Sequence, residues 1–451
     1  MTTKRVSLML LGFVAALVAG TYGLALAGEG EQEEGDLDIV KRADDVPVPP
    51  MKITKDDYKS VEGVKGKLKL PAVPGWAVKE VFYADRDPVY STAIEKRDSG
   101  NYVTALKGFR IALEKMPDKK WAPEYCNFGM GEALYQDNRF SEPYVDRQGV
   151  KYRMPSEYFR EVIKANPKSR FLLEAHVKLA ISLAEEGKMD EAQAAFVEAD
   201  TAIKAYKDEM FKVDAKYRDI SEKYTVMAVM GNARMLEKKA DGQGDNADYN
   251  PAKSKFGTAQ SASTGKYPEV YAEAVDGELR VLTKMKDFTS ANICAQSILD
   301  QFKQKPEPEL YRMLPGAHAV KGMSNYNQAL EAKKSNQAVQ ANKLFAEARW
   351  DFLHIVVKFF DNDDYLAQAH FFVGKCYAEL KNEESDAMVK AVRHWKAVVE
   401  NFPNSKFKPL AEDELKSADT APAAPKEEPK KTGEKPKDAG KTGDKPKDAA
   451  K

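Results

Sequence analysis

Five histidines and three cysteines are the side chains of this 451-residue chain best suited to metal ligation or nucleophilic attack. His176, His318, His354, His370 and His394 include no pair one helical turn apart, and no cysteine stands near one at ligand spacing, so a helix-borne zinc site has no donors. Cys126, Cys294 and Cys376 are far apart in sequence. They form no disulfide framework and no haem attachment signature, and one bridge would leave an odd thiol. The plain reading is three small buried hydrophobes. Gly129-Met-Gly131 lacks the third glycine and the preceding strand of a dinucleotide fingerprint. No phosphate-binding loop and no nucleophile elbow occurs. The acid pairs Glu185-Glu186 and Glu383-Glu384 suit solvated helix faces. The expectation is a protein with no catalytic residues, no metal and no cofactor. The 70 basic and 70 acidic residues cancel, which removes the field that would draw the chain to nucleic acid.

The elements that would carry any site are helical and repeated. Gly100-Asn101-Tyr102 opens a run with Ala105, Phe109, Ala112-Leu113 and Pro117. Small residues there let two helices approach, Phe109 fills the gap between units, and the proline stops the helix. Asp87-Pro88 reads as the cap and first-turn proline of the preceding helix. Met130 to Phe140, then Phe159, Val162-Ile163 and Pro167 after an insert over Ser141 to Pro155, repeat the pattern. Ala175 to Ala199 repeats it most cleanly, with a second helix running past Ala202. Looser copies follow at Tyr249–Ala259, Ala274–Leu299 and Ala317–Phe360, and a clear one at Ala369–Pro403. About seven helical hairpins are expected over 87–415, several with inserts, against a repeat period of about 34 residues.

This pattern resembles the tetratricopeptide repeat (TPR). Tyr158-Phe-x-x-Val162-Ile-x-x-Asn166-Pro-Lys-Ser169 recurs as Trp395-x-x-Val398-Val-x-x-Phe402-Pro-Asn-Ser405, and more weakly as Leu353-x-x-Val356-Val-x-x-Phe360-Asp361. Over two or three units these runs are similar to two families of Gram-negative envelope TPR proteins. One is the outer-membrane assembly lipoprotein, the other the periplasmic protein that coordinates envelope constriction at division. The resemblance implies an all-α, right-handed superhelical solenoid that binds other proteins on its concave face. It places Tyr125, Glu132 and Gln136 of unit two on that face, with Lys178 and Glu185 of unit three and Phe372, Lys375 and Glu379 of unit seven. The Lys/Asn clamp by which some TPR proteins hold a C-terminal carboxylate is not reproduced.

The ends read differently. Lys4-Arg5, an apolar run from Val6 and Ala25-Leu26-Ala27 make residues 1–27 a signal peptide. Uncleaved, residues 6–27 would be long enough to anchor the chain in a membrane. Glu29 stands where a lipoprotein box requires cysteine, so lipid attachment there is excluded. Residues 28–86 read as an acidic, proline-containing tether and lead-in, in which Glu29 to Asp38 and Val46-Pro-Val-Pro-Pro50 have no means of building a core. Residues 416–451, rich in Lys, Pro and Ala, read as a disordered tail. The chain is expected to be exported to the periplasm or envelope and to act there as a scaffold for other proteins. A self-assembling anchored structural protein, or an accessory subunit of an envelope enzyme or wall system, is the alternative.

Overall fold

The first two helices begin where the sequence supplies a side-chain cap. In the computed structural model, which describes residues 37–306, 308–359 and 363–419, the carboxylate of Asp87 accepts from the Val89 N–H and opens α1 (Pro88–Asp98). Asn101 does the same for α2 (Tyr102–Lys115). The signal-peptide stretch, most of the acidic run and residues 420–451 lie outside the described residues.

The described chain divides into two compact units, with the boundary inside α9 (Pro268–Lys284), between Ala274 and Val275. The first unit continues with α3 (Ala122–Gln136), α4 (Pro155–Ala165), α5 (Leu172–Glu185), α6 (Met189–Met210), α7 (Tyr217–Asp241) and α8 (Asn250–Ser263). The second holds α10 (Phe288–Gln304), a single turn α11 (Pro308–Tyr311), α12 (Leu314–Lys334), α13 (Ala338–Lys358), α14 (Asp363–Glu379), α15 (Ala387–Asn401) and α16 (Lys408–Asp419). Helices consecutive in sequence pack as hairpins, the construction of a TPR-type α-solenoid.

The hairpin turn is itself repeated. Gly100, Asn138, Gly187, Lys286 and Asn336 each take a positive φ between a first and a second helix. In each, the next residue's N–H reaches back five positions: Asn101 to Lys96, Arg139 to Leu134, Lys188 to Leu183, Asp287 to Leu282 and Gln337 to Ala332. This is the Schellman closure, which satisfies a carbonyl the helix end leaves open. The return loops also recur. α2, α4 and α15 each stop two residues before a proline (Pro117, Pro167, Pro403). In the Asn-Pro-Lys-Ser and Phe-Pro-Asn-Ser loops, the Ser169 and Ser405 hydroxyls accept from the N–H groups of Phe171 and Phe407.

Glycines mark where a first helix meets an aromatic. A Cβ on Gly129 would lie 2.7 Å from the Phe109 ring, and one on Gly131 3.0 Å from Phe159. The lone Gly-x-Gly is therefore a packing feature. Gly322 faces Phe352 and Gly374 faces Trp395 in the same way.

Two expectations need correction. The lead-in is no coreless tether. Residues 39–82 form β1 (Ile39–Arg42), β2 (Lys52–Asp56), β3 (Ser60–Lys65), β4 (Leu68–Lys69), β5 (Val73–Pro74) and β6 (Val78–Phe82). β1 pairs antiparallel with β6, and β3 with β2, β4 and β5. Val40, Met51, Val61, Val73, Ala77 and Val81 are buried between them and the first helices. The prolines at 47, 49 and 50 are confined to the connection between β1 and β2, where no ladder donor is needed. Second, α16 runs four residues into the segment expected to be disordered, because Leu415 and Ala418 pack against the Trp395 cluster.

Candidate functional site

In the second unit, first helices line a groove of ≈ 650 Å³, inside the range of ligand sites. Its floor is one face of α12, where Gly316, Ala319, Val320 and Met323 follow at helical spacing. One wall is the α9 stripe Asp276, Leu279, Arg280 and Thr283, with Lys284 beside it. The other is Tyr365 and Gln368 of α14, and the return loop Asn404 to Phe407 closes the rim. The Asp276 carboxylate is held from two directions, by the Arg280 guanidinium and by the Tyr365 hydroxyl at 3.2 Å. Both acceptor and hydroxyl would lie 2.9 Å from a Cβ at Gly316, so only glycine lets the two walls meet across α12. The site is a fixed polar end wall joined to a small-residue floor.

The sequence-derived residues divide by unit. Phe372, Lys375 and Glu379 continue the α14 stripe of Tyr365 and Gln368 at i+3 and i+4 spacing. The groove lining stops one turn short of them. Phe372 is half-buried behind the rim, against Phe407, Tyr326 and Phe352. Lys375 pairs with Glu414 at 2.7 Å, and Glu379 with Lys333.

In the first unit the corresponding face is filled from within. Lys178, 6% exposed, donates to Glu132 at 2.6 Å and pairs with Glu174 at 2.7 Å. Tyr224 donates to the other oxygen of Glu174. Burial alone would lower the Lys178 ammonium, but the two carboxylates outweigh it and hold it above the ordinary lysine value. Burial raises Glu132 against the pull of Lys178, while at Glu174 the lysine prevails over burial and the carboxyl is lowered. Tyr125 is buried under the strand module, its hydroxyl on Asp56, which also accepts from Tyr83. So Tyr125, Glu132 and Lys178 are internal, contrary to the concave-surface expectation. Their neighbours complete one another, which leaves nothing for a partner to satisfy. Gln136 and Glu185 are exposed at helix ends, Glu185 paired with Lys238 at 3.2 Å.

Asp276, Arg280, Tyr365 and Lys406, which line the groove, were not among the residues the resemblance selects. It was carried only onto units two, three and seven, whereas the floor and one wall come from the looser units five and six. The usable signal was the α9 stripe at 276, 279, 280 and 283 opposite small α12 residues at 316 and 319.

The cysteines and histidines are buried or half-buried. Among the described residues no group of three or more His, Cys, Asp or Glu could hold a metal ion, and no helix is long and apolar enough to cross a membrane. Burial pushes the Cys126 and Cys294 thiols up to about 12, which keeps them unreactive. His176 is half-buried on α5, and burial lowers it. His318 holds Asp351 through Nδ1 at 3.1 Å and stacks on His354. His370 (α14) and His394 (α15) meet Nδ1 to Nδ1 at 2.9 Å, a contact that needs at least one neutral ring.

Burial, then the neighbouring His370 and Arg393, lower His394 to about 4, and burial lowers His370. Folded values below the ordinary 6.5 mean that this pair contributes stability above that value, lost as pH falls through it towards 4. We expect the second unit to lose about 1–2 kcal/mol between about pH 7 and pH 5, a figure discounted for partial exposure. Denaturant midpoints of the wild type and His394→Phe across that range check it, since the variant, left with His370 alone, should fall less steeply.

No protein-family model matches the chain, and neither does any curated protein. Among solved structures, human IFIT1, solved as a dimer with PPP-AAAA, aligns over 66% of this chain and 68% of its own, at 14% identity and TM-score 0.24. The P58(IPK) TPR domain aligns over 73% of this chain and 96% of its own, at 13% identity and TM-score 0.18. At those scores the reading of the fold rests on the chain's own hairpins, turns and return loops.

Proposed function

We propose that this chain is a non-catalytic scaffold of the cell envelope that grips a segment of a partner protein in the groove of its second unit. The groove carries the proposal: small floor residues, a fixed polar wall and an open rim suit a polypeptide held reversibly. Export to the periplasm or envelope is supported by Lys4-Arg5, the apolar run from Val6 and the Ala25-Leu26-Ala27 site. Retention of residues 6–27 would add attachment to the inner membrane. The recurrent Asn-Pro-Lys-Ser and Phe-Pro-Asn-Ser loops support the envelope type of TPR protein.

A small aliphatic photo-crosslinking residue (a diazirine) at Gln368, which adds no ring to the groove, is expected to capture the partner in envelope extracts. The same residue at Val389, which is 65% exposed on α15 and contributes nothing to the groove, should not. Equal capture at both positions would move the contact to another surface. Capture of the chain by itself alone would favour the self-assembling structural reading.

A further inference from the structure

We infer that the segment this groove selects is acidic, with an Asp or Glu side chain set next to small aliphatic ones. The inference rests on the groove being the binding site. Lys406 lines it, and the single carboxylate in the lining is that of Asp276. That carboxylate already accepts from Arg280 and Tyr365, so its charge is spent within the wall and would repel an incoming acid little. Lys406 stands on the rim loop with its ammonium 5.3 Å from the Phe407 ring centroid, and it has no carboxylate partner among the described residues. A lysine exposed on a loop that Ser405 and Pro403 fix in place is a cation awaiting a counter-charge, at the mouth of a site whose own acid is neutralised.

Size sets the rest of the selection. From Gly316 to Met323 the floor is about 10 Å long at the helical rise per residue, which matches about three residues of extended chain. Ala319, Val320 and Leu279 are buried and give that stretch an apolar bed beside the Asp276 wall. Gln368 and Thr283 flank the bed and offer hydrogen bonds to an extended backbone. An acidic side chain reaching towards Lys406, with Ala- or Val-sized neighbours on the floor, satisfies all of these groups together.

The test uses the full chain and three labelled peptides sharing one Ala/Val frame, with Glu, Gln or Lys at the variable positions, read by fluorescence anisotropy. The Glu peptide should bind about tenfold more tightly than the Gln peptide at low salt, and the margin should shrink as salt rises. Lys406→Glu should weaken the Glu peptide about five- to tenfold and strengthen the Lys peptide. Gln368→Trp, which places a ring in the groove, should abolish binding of all three. Equal or tighter binding of the Gln or Lys peptide, still blocked by Gln368→Trp, overturns the acidic selection and leaves the groove as the site. Binding that Gln368→Trp does not affect overturns the selection and the groove together. No binding by any peptide overturns the selection, and the crosslinks at Gln368 then judge the groove separately.

Discussion

Lys178→Ala is expected to destabilise the first unit by about 3–5 kcal/mol, the usual cost of removing one partner from a buried ion cluster. The wild-type arrangement places one ammonium between the carboxylates of Glu132 and Glu174. Glu132 and Lys178 are almost fully enclosed, and the Phe128 and Tyr135 rings lie within 5.9 and 5.4 Å of the ammonium. Without the lysine, two acids face each other in a poorly solvated space, and at neutral pH one of them must take up a proton. The pH dependence therefore identifies the cause. Carboxyls whose folded values rise above their unfolded ones oppose folding at high pH, and that penalty fades as pH falls through the raised values. The deficit of Lys178→Ala should be largest near neutral pH and shrink on acidification. Lys178→Met with Glu132→Gln, which removes charge from both sides, should recover most of it. Denaturant titrations of the three proteins at two pH values decide the matter. A deficit below about 1 kcal/mol would mean that the cluster behaves like a surface ion pair.

The same cluster shows why the site was only partly legible in the sequence. Glu132 and Lys178 lie on first helices at positions where TPR proteins offer groups to a ligand. From sequence alone a polar residue there looks available. Whether it is available depends on what other hairpins bring: Lys178 meets Glu132 from the preceding hairpin, and Tyr224 comes from the following one to hold Glu174, one turn before Lys178 on α5. Tyr125 fails for a related reason. Its partner Asp56 belongs to a strand module whose alternation, Ser60-Val61-Glu62-Gly63-Val64 and Val78-Lys79-Glu80-Val81, spans only a few residues per strand. Such short runs among prolines and glycines resemble a linker. The helices were legible because each hairpin repeats one turn and one aromatic-to-proline spacing, so weak local signals add.

These arrangements also separate the roles of the two units. In the first, the strand module covers return loops that begin α3, α5 and α7. Tyr83 stacks on Trp121 at 4.5 Å, the Tyr58 N–H donates to the Lys168 carbonyl, and Trp76 donates to Asp214. Arg170 donates to the Val78 carbonyl, and Tyr217 to that of Lys59. With this edge covered and the first-helix face consumed by the Lys178 cluster, the first unit is built for rigidity. The second keeps its first-helix face open between α9, α12 and α14, so groove variants should change binding while Lys178 variants change folding.

Gly374→Val should be nearly as damaging as the loss of Lys178. A Cβ there would stand 2.4 Å from Trp395 Nε1 and within 2.8 Å of two further ring atoms. The ring cannot retreat. Trp395 is 1% exposed, its N–H donates to the Phe371 carbonyl at 3.2 Å, and Phe371, Ala391, Val398 and Ala411 pack in the same cluster. Overpacking of this kind costs about 1–3 kcal/mol, and displacing the indole forfeits about 1 kcal/mol of hydrogen bonding. Valine's better helix propensity returns only a few tenths of that. The expected loss is about 3 kcal/mol, carried by the α14–α15 hairpin behind the groove rim. Gly257→Ala on α8 is the control, because nothing lies within 4 Å of its Cβ. Relieved of glycine's entropic cost and meeting no neighbour, that variant should be about 0.5–1 kcal/mol more stable than the wild type. Thermal unfolding of the two variants side by side checks the argument: opposite signs assign the damage at 374 to the indole, whereas destabilisation at both would assign it to losing a helical glycine.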